Sequence, residues 1–150
     1  MLQWHWRSFS ELTNYELYDI LALRQNVFNI EQQCTEPDID HLDQQAIHLL
    51  GFKNNELASY LRVFLPGTKY PDAASIGRVL TIKSERGQGH GKEAMTQTLA
   101  YLIENNISAP IVISAQIYLE KFYAHYGFKK IGEPFDEAGI VHIPMRKEAV

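Results

Sequence analysis

The residues best suited to chemistry lie in one short stretch, Arg86-Gly87-Gln88-Gly89-His90-Gly91-Lys92. Three glycines in five positions, at the opening of a helical pattern, let bare backbone amides approach a ligand with no Cβ in the way. Amides in the first turn of a helix have no intrahelical acceptor, and the helix dipole adds partial positive charge there, so this turn suits a pyrophosphate. Arg86 and Lys92 add two cations beside it.

Spacing separates the nucleotide-binding readings of this turn. A Walker loop needs a glycine five places before its Gly-Lys pair and a hydroxyl residue after it, but those positions hold Arg86 and Glu93. A dinucleotide fingerprint starting at Gly87 needs its third glycine where Lys92 stands, and it opens the first βαβ unit of a parallel sheet, whereas this turn sits halfway along the chain. What remains is Arg or Gln, two residues, Gly, one residue, Gly or Ala, and Arg86, Gly89 and Gly91 fill it. Elsewhere, Tyr123 on a short apolar helix reads first as a core aromatic, and His48 and His142 as half-buried structural histidines. The His90 side chain is expected to point to solvent. Cys34 is the chain's one cysteine, and no His/Cys spacing suggests zinc, so no metal is expected.

The elements that must position these residues follow from periodicity. Gln3 to Phe9 alternates as a short strand, and Thr13-Asn14-Tyr15-Glu16 has the form of a capping box. Leu17, Ile20, Leu21, Arg24, Val27 and Phe28 then predict a first helix of about four turns. Glu31 to Gln45 reads as an irregular loop that carries five acids. Ile47 to Lys53 and Leu57 to Phe64 flank Asn54-Asn55-Glu56 as an antiparallel hairpin, and Ser75 to Ile82 is a further strand. A long helix runs from about Gly89 to Asn105, followed by a buried strand at Ile111 to Ala115. A short helix spans about Tyr118 to Tyr126 and stops at Gly127. Phe128 to Ile131 and Ile140 to Arg146 are the last strands, joined across Glu133 to Gly139. The order predicts a mixed α/β fold, not a regular βαβ repeat.

The chain has 150 residues, 45% apolar and 21% charged, which is about one ordinary globular domain over 1–150. Fourteen basic against eighteen acidic residues leave a net charge of −4, so nucleic acid is not the expected partner. No apolar run approaches the roughly 20 residues needed to span a bilayer, and the N-terminus lacks a signal pattern. No membrane partner is expected, and a cytoplasmic setting is the expectation.

With the glycine turn, Phe122-Tyr123-Ala124-His125-Tyr126-Gly127-Phe128 and Gln116 in view, the chain resembles the GNAT superfamily of N-acetyltransferases over nearly its whole length. It also resembles the narrower ElaA-like branch, through Arg24, Val27-Phe28, Glu31-Gln32, Cys34, Asp38-Ile39-Asp40, His48, Gly77-Arg78-Val79, Ala115-Gln116 and His142-Ile143. The resemblance implies a mostly antiparallel mixed sheet flanked by helices, with two central strands splayed to admit coenzyme A. It implies transfer of an acetyl group from acetyl-CoA to a small-molecule or peptide amine, by direct attack. On the cofactor side it points to Val79, Leu80, Thr81, Arg86, Gly87, Gln88, Gly89, His90, Gly91, Lys92 and Gln116. Thr81 stands where many members have valine on the strand that pairs with pantetheine, a pairing made by backbone groups. Tyr123 is implied as the acid that protonates the leaving thiolate; among the loop's acids Glu31 and Asp40 are the candidates to bind or deprotonate the amine, and His142 is a further catalytic candidate. Charge counting adds an acidic mouth of Glu31, Asp38 and Asp40 for a cationic acceptor, with Arg78 also on the acceptor side. The rival reading is a coenzyme A-binding sensor or interaction module with the same fold and no turnover, and a homodimer is one assembly left open.

Overall fold

The computed structural model describes residues 1–149. Among the described residues, eight strands form two sheets, flanked by three α-helices, and the sheets meet at a short parallel bridge between Ala74 and Ile111. The first sheet is an antiparallel meander of β1 (Gln3–Ser8), β2 (Ile47–Lys53), β3 (Glu56–Phe64) and β4 (Ser75–Thr81). In the second, β8 (Ile140–Lys147) lies between β5 (Ile111–Gln116) and β6 (Lys129–Lys130), and it also pairs with β7 (Phe135–Glu137).

Local chemistry explains most element ends. The Thr13 hydroxyl accepts from the Glu16 amide at 3.0 Å while the Glu16 carboxylate accepts from the Thr13 amide at 3.0 Å, so the expected capping box opens α1 (Asn14–Arg24). Asn54 and Asn55 both take positive φ in the β2–β3 turn, which matches the right-handed twist of the strands they join. Alternation then buries side chains on both faces. Leu50, Tyr60 and Leu80 pack with Ile20 and Val27 from the first helical region, while Leu49, Leu61 and Ile76 pack with α2 (His90–Glu104) and the second sheet.

The sequence-based outline needs three changes. The four-turn first helix is α-helical only to Arg24 and then widens into a π-helical stretch, Gln25–Glu31, marked by the Gln32 amide bonding to the Val27 carbonyl. The acidic loop contains a 3₁₀ turn, Asp43–Gln45. Phe135–Glu137 is a strand, closed onto β8 through Ala138 and Gly139 at positive φ; it is short and exposed, so it shows no alternation to read.

The feature that makes a site is the junction of the sheets. The Ala74 amide bonds to the Pro110 carbonyl at 2.9 Å, and the Val112 amide to the Ala74 carbonyl at 2.8 Å. Beyond that bridge β4 and β5 belong to different sheets, so the two strands part and a cleft opens between them.

Candidate active site

On the cleft side of the first sheet, β4 carries a bulge. Tyr60 faces Leu80 and Arg62 faces Gly77, so Arg78 and Val79 together oppose Leu61 alone. Arg78 sits at φ +53°, a left-handed conformation that turns its side chain toward the loop after α1.

The glycine turn follows β4 after Ile82 and a 3₁₀ turn, Lys83–Glu85. Gly87 and Gly89 take φ of +80° and +83°, and a Cβ built on either would meet nothing within 4 Å, so the backbone is open to a ligand. The Glu93 amide is bound to the Gly89 carbonyl at 3.1 Å, which leaves the amides of His90, Gly91 and Lys92 ahead of the first intrahelical bond of α2. Arg86 donates from Nε to the Thr81 carbonyl at 2.9 Å and from Nη2 to Glu31 at 2.7 Å. This donor set fits a diphosphate.

His90 does not point to solvent. It is buried, and its Nε2 donates to Glu85 at 3.1 Å, while the other oxygen of Glu85 accepts from Lys53 at 2.8 Å. The brace ties β2 to both ends of the turn, and an apolar-to-polar alternation rule could not have found it, because the turn's own geometry aims His90 inward.

A cavity of about 370 Å³ occupies the cleft between β4 and β5. Gly77, Arg78 and Val79 line it from β4, Ser114 and Gln116 from β5, and His142 from β8. Tyr123, on α3 (Glu120–His125), also lines it; the residue is 6% exposed, and burial, helped by Tyr118, pushes its phenol up to about 12. It therefore holds its proton at neutral pH. His142 Nδ1 lies 2.8 Å from the Ile140 carbonyl, which can only accept, so Nδ1 carries a hydrogen and Nε2 faces Glu137 at 3.3 Å.

A model of the acetyltransferase (GNAT) domain matches residues 19–149. The chain belongs to the GNAT acetyltransferase family. A UPF0039 protein of Synechocystis is 41% identical over 145 residues, covering 96% of this chain and 94% of that one. The protein ElaA of Escherichia coli is 36% identical over 152 residues, covering 100% and 99%, and its crystal structure superimposes with a TM-score of 0.90. A crystal structure of an acyl-CoA N-acyltransferase from Pseudomonas aeruginosa is similar at a TM-score of 0.92 and 35% identity, covering 98% of this chain and 99% of that one. The expected GNAT fold is therefore present, with its helix-flanked antiparallel sheets. No helix among the described residues is long and apolar enough to cross a membrane.

Within this GNAT domain the structure separates residues that charge counting had grouped. Glu31 pairs with Arg86 at the glycine turn and does not line the cavity. Asp38 and Asp40 do line it, but neither is a free carboxylate. Asp38 accepts from Arg24 Nε at 2.8 Å and lies 2.8 Å from Arg78 Nε, and Asp40 is bound by Arg62 through both oxygens. Asp43 receives Arg24 at 2.6 Å and Arg62 at 2.8 Å. Burial would raise Asp40, yet the hydrogen bonds and charge of Arg62, the Leu42 amide and Arg78 outweigh it and hold the carboxyl well below its usual range. The acidic mouth is thus corrected to a neutral lattice of three arginines and three aspartates, because the charges that cancel the loop come from α1, β3 and β4.

Arg24, Arg62, Asp43 and His48 were missed as site builders. His48 bonds Tyr60 at 2.6 Å and the Asp43 carbonyl at 2.9 Å beneath the lattice. One signal was available: Arg24 and Arg62 sit at apolar-periodic positions of a helix and a strand, and a buried guanidinium must find carboxylates.

Proposed function

We propose that this protein transfers an acetyl group from acetyl-CoA to an amine in a ternary complex. The observation that carries the reading is the pairing of an open, cation-flanked turn at the start of α2 with a protonated tyrosine in the adjoining cleft. Arg86, the amides from Gly87 to Lys92 and the Lys92 ammonium hold the diphosphate; Gln88 contributes its backbone. Val79, Leu80 and Thr81 offer backbone groups on the open edge of β4 to the pantetheine, with Gln116 across the cleft on β5. His90 and Glu31 act from behind, the first by bracing the turn through Glu85 and the second by orienting Arg86.

Bound acetyl-CoA supplies the acetyl group as a thioester, whose carbon–sulfur bond breaks as the carbon–nitrogen bond forms. The His142 Nε2 accepts the proton that the amine must lose, and Glu137 steadies the resulting imidazolium while the Ile140 carbonyl keeps Nδ1–H fixed. An amide on the cleft side of β4 donates to the oxygen that gains charge. The Tyr123 hydroxyl gives its proton to the departing sulfur, and burial keeps that proton in place until then.

Tyr123→Phe keeps the ring and removes only the hydroxyl. The single-turnover rate should fall by roughly 10- to 10⁴-fold with little change in acetyl-CoA affinity. An unaltered rate rejects the assignment of the acid.

A further inference from the structure

The cavity's charges differ in how far they are satisfied. Arg62, Lys69 and Arg78 line it together with Asp38 and Asp40. The two aspartates are bound by Arg24, Arg62 and Arg78, whereas Lys69 forms no ion pair among the described residues. Lys69 lies on the exposed turn before β4, but its ammonium reaches over the Phe64 ring, 5.8 Å from the centroid. The Arg62 guanidinium lies over the same ring at 4.8 Å, and its Nε is buried without a partner. Partial desolvation, then the charge of Arg62, pull the Lys69 ammonium below its usual range, and Arg78 adds to this against Glu137 and Asp40. A cation with cationic neighbours and no carboxylate within ion-pair distance among the described residues suits an anion. On the other account, Glu36 and Glu137 are exposed carboxylates on the same lining, and Glu137 reaches His142.

We propose that the acceptor is a small amine that also carries an anionic group, a carboxylate or a phosphate, with the anion received by Lys69 beside Arg62 and Arg78 and the amine directed to His142 and Glu137. This rests on the acyl-transfer reading above and narrows it. A 370 Å³ cavity has room for a molecule of amino-acid size, and the lattice of Arg24, Arg62 and Arg78 with their aspartates gives the anion site a rigid floor. A polyamine, by contrast, would set a second positive charge against Lys69.

The test uses matched pairs of amines with acetyl-CoA, read by thiol release: α-amino acids against their amides, and aminoalkyl phosphates against the corresponding amino alcohols. The carboxylate and phosphate arms tell the two anions apart. At least one anionic member should exceed its neutral partner in kcat/KM by roughly tenfold or more, the scale of one charge-assisted contact. Lys69→Met should bring that ratio close to one through KM while leaving the acetyl-CoA KM unchanged, and Lys69→Arg should restore part of it. Equal or better turnover of neutral partners or polyamines overturns the inference, as does an undiminished ratio in Lys69→Met. If no amine is acetylated although acetyl-CoA binds, the transfer reading fails, and the anion site is then judged by calorimetry with N-acetylated amino acids against their amides. A preference for the acid that is lost in Lys69→Met keeps the site, and no preference removes it.

Discussion

The glycine turn and the arginine–aspartate lattice are both built around cations, and they differ in what is left over. At the turn, Arg86 and Lys92 are exposed, the first amides of α2 have no intrahelical acceptor, and the carboxylate paired with Arg86, that of Glu31, sits at the surface. In the lattice, Arg24 is 0% and Arg62 2% exposed, and Nε and Nη1 of Arg24 and both Nη atoms of Arg62 meet carboxylates, which leaves Arg62 Nε without a partner. The turn keeps its hydrogen-bonding capacity for a ligand, while the lattice has used its own to hold the loop, α1, β3 and β4 together. A cation therefore signals a binding site through its unmet partners, and its count along the chain says little.

Removing one lattice charge should have the largest effect. Asp43→Ala leaves Arg24 and Arg62 facing each other without their shared counter-ion, and unfolding free energy should drop by about 3–5 kcal/mol in urea titrations. A drop below about 1 kcal/mol means that water satisfies the cluster and that it is not a scaffold.

The next effect falls on the turn. Gly89→Val forces a β-branched residue to φ +83° and sets a side chain over the open amides, so acetyl-CoA affinity should fall by roughly 10- to 100-fold in calorimetry while the far-UV spectrum is kept. Unchanged affinity in the folded variant places the diphosphate elsewhere. Arg86→Ala sharpens the contrast with Asp43→Ala: affinity for acetyl-CoA should fall about tenfold, and stability should stay within about 0.5 kcal/mol, because the Glu31 pair is exposed.

The smallest effect is with pH. Burial holds the His48 imidazole below its ordinary 6.5, so the unfolded chain binds the extra proton first, and stability should decline as pH falls through 6.5, by at most about 1.4 kcal/mol per unit. Asp40 and Asp43 are held below 3.8, so their contribution is complete above that value and is lost only in stronger acid. Urea midpoints at pH 7.5, 5.5 and 4 should therefore show a shallow loss, and a midpoint that rises between 7.5 and 5.5 contradicts the buried, neutral His48.

Much of this protein follows from short-range rules. Thr13 and Glu16 cap a helix, two asparagines turn a hairpin, and Gly87 and Gly89 are free to take the left-handed backbone they show, because each effect acts over a few residues. Tyr123, by contrast, reads as a core aromatic under those rules, and only the resemblance to the GNAT family singled it out together with the glycine turn. The tertiary structure alone decided which charges cancel. Arg24 meets Asp38 and Asp43 at separations of 14 and 19 residues, and Arg78 meets Asp40 at 38, so a loop that reads as acidic is neutralised from three other elements. It decided the direction of His90 and the isolation of Lys69 in the same way. Coulomb and hydrogen-bond energies depend on distances of a few ångström in space, and the path of the folded chain sets those distances.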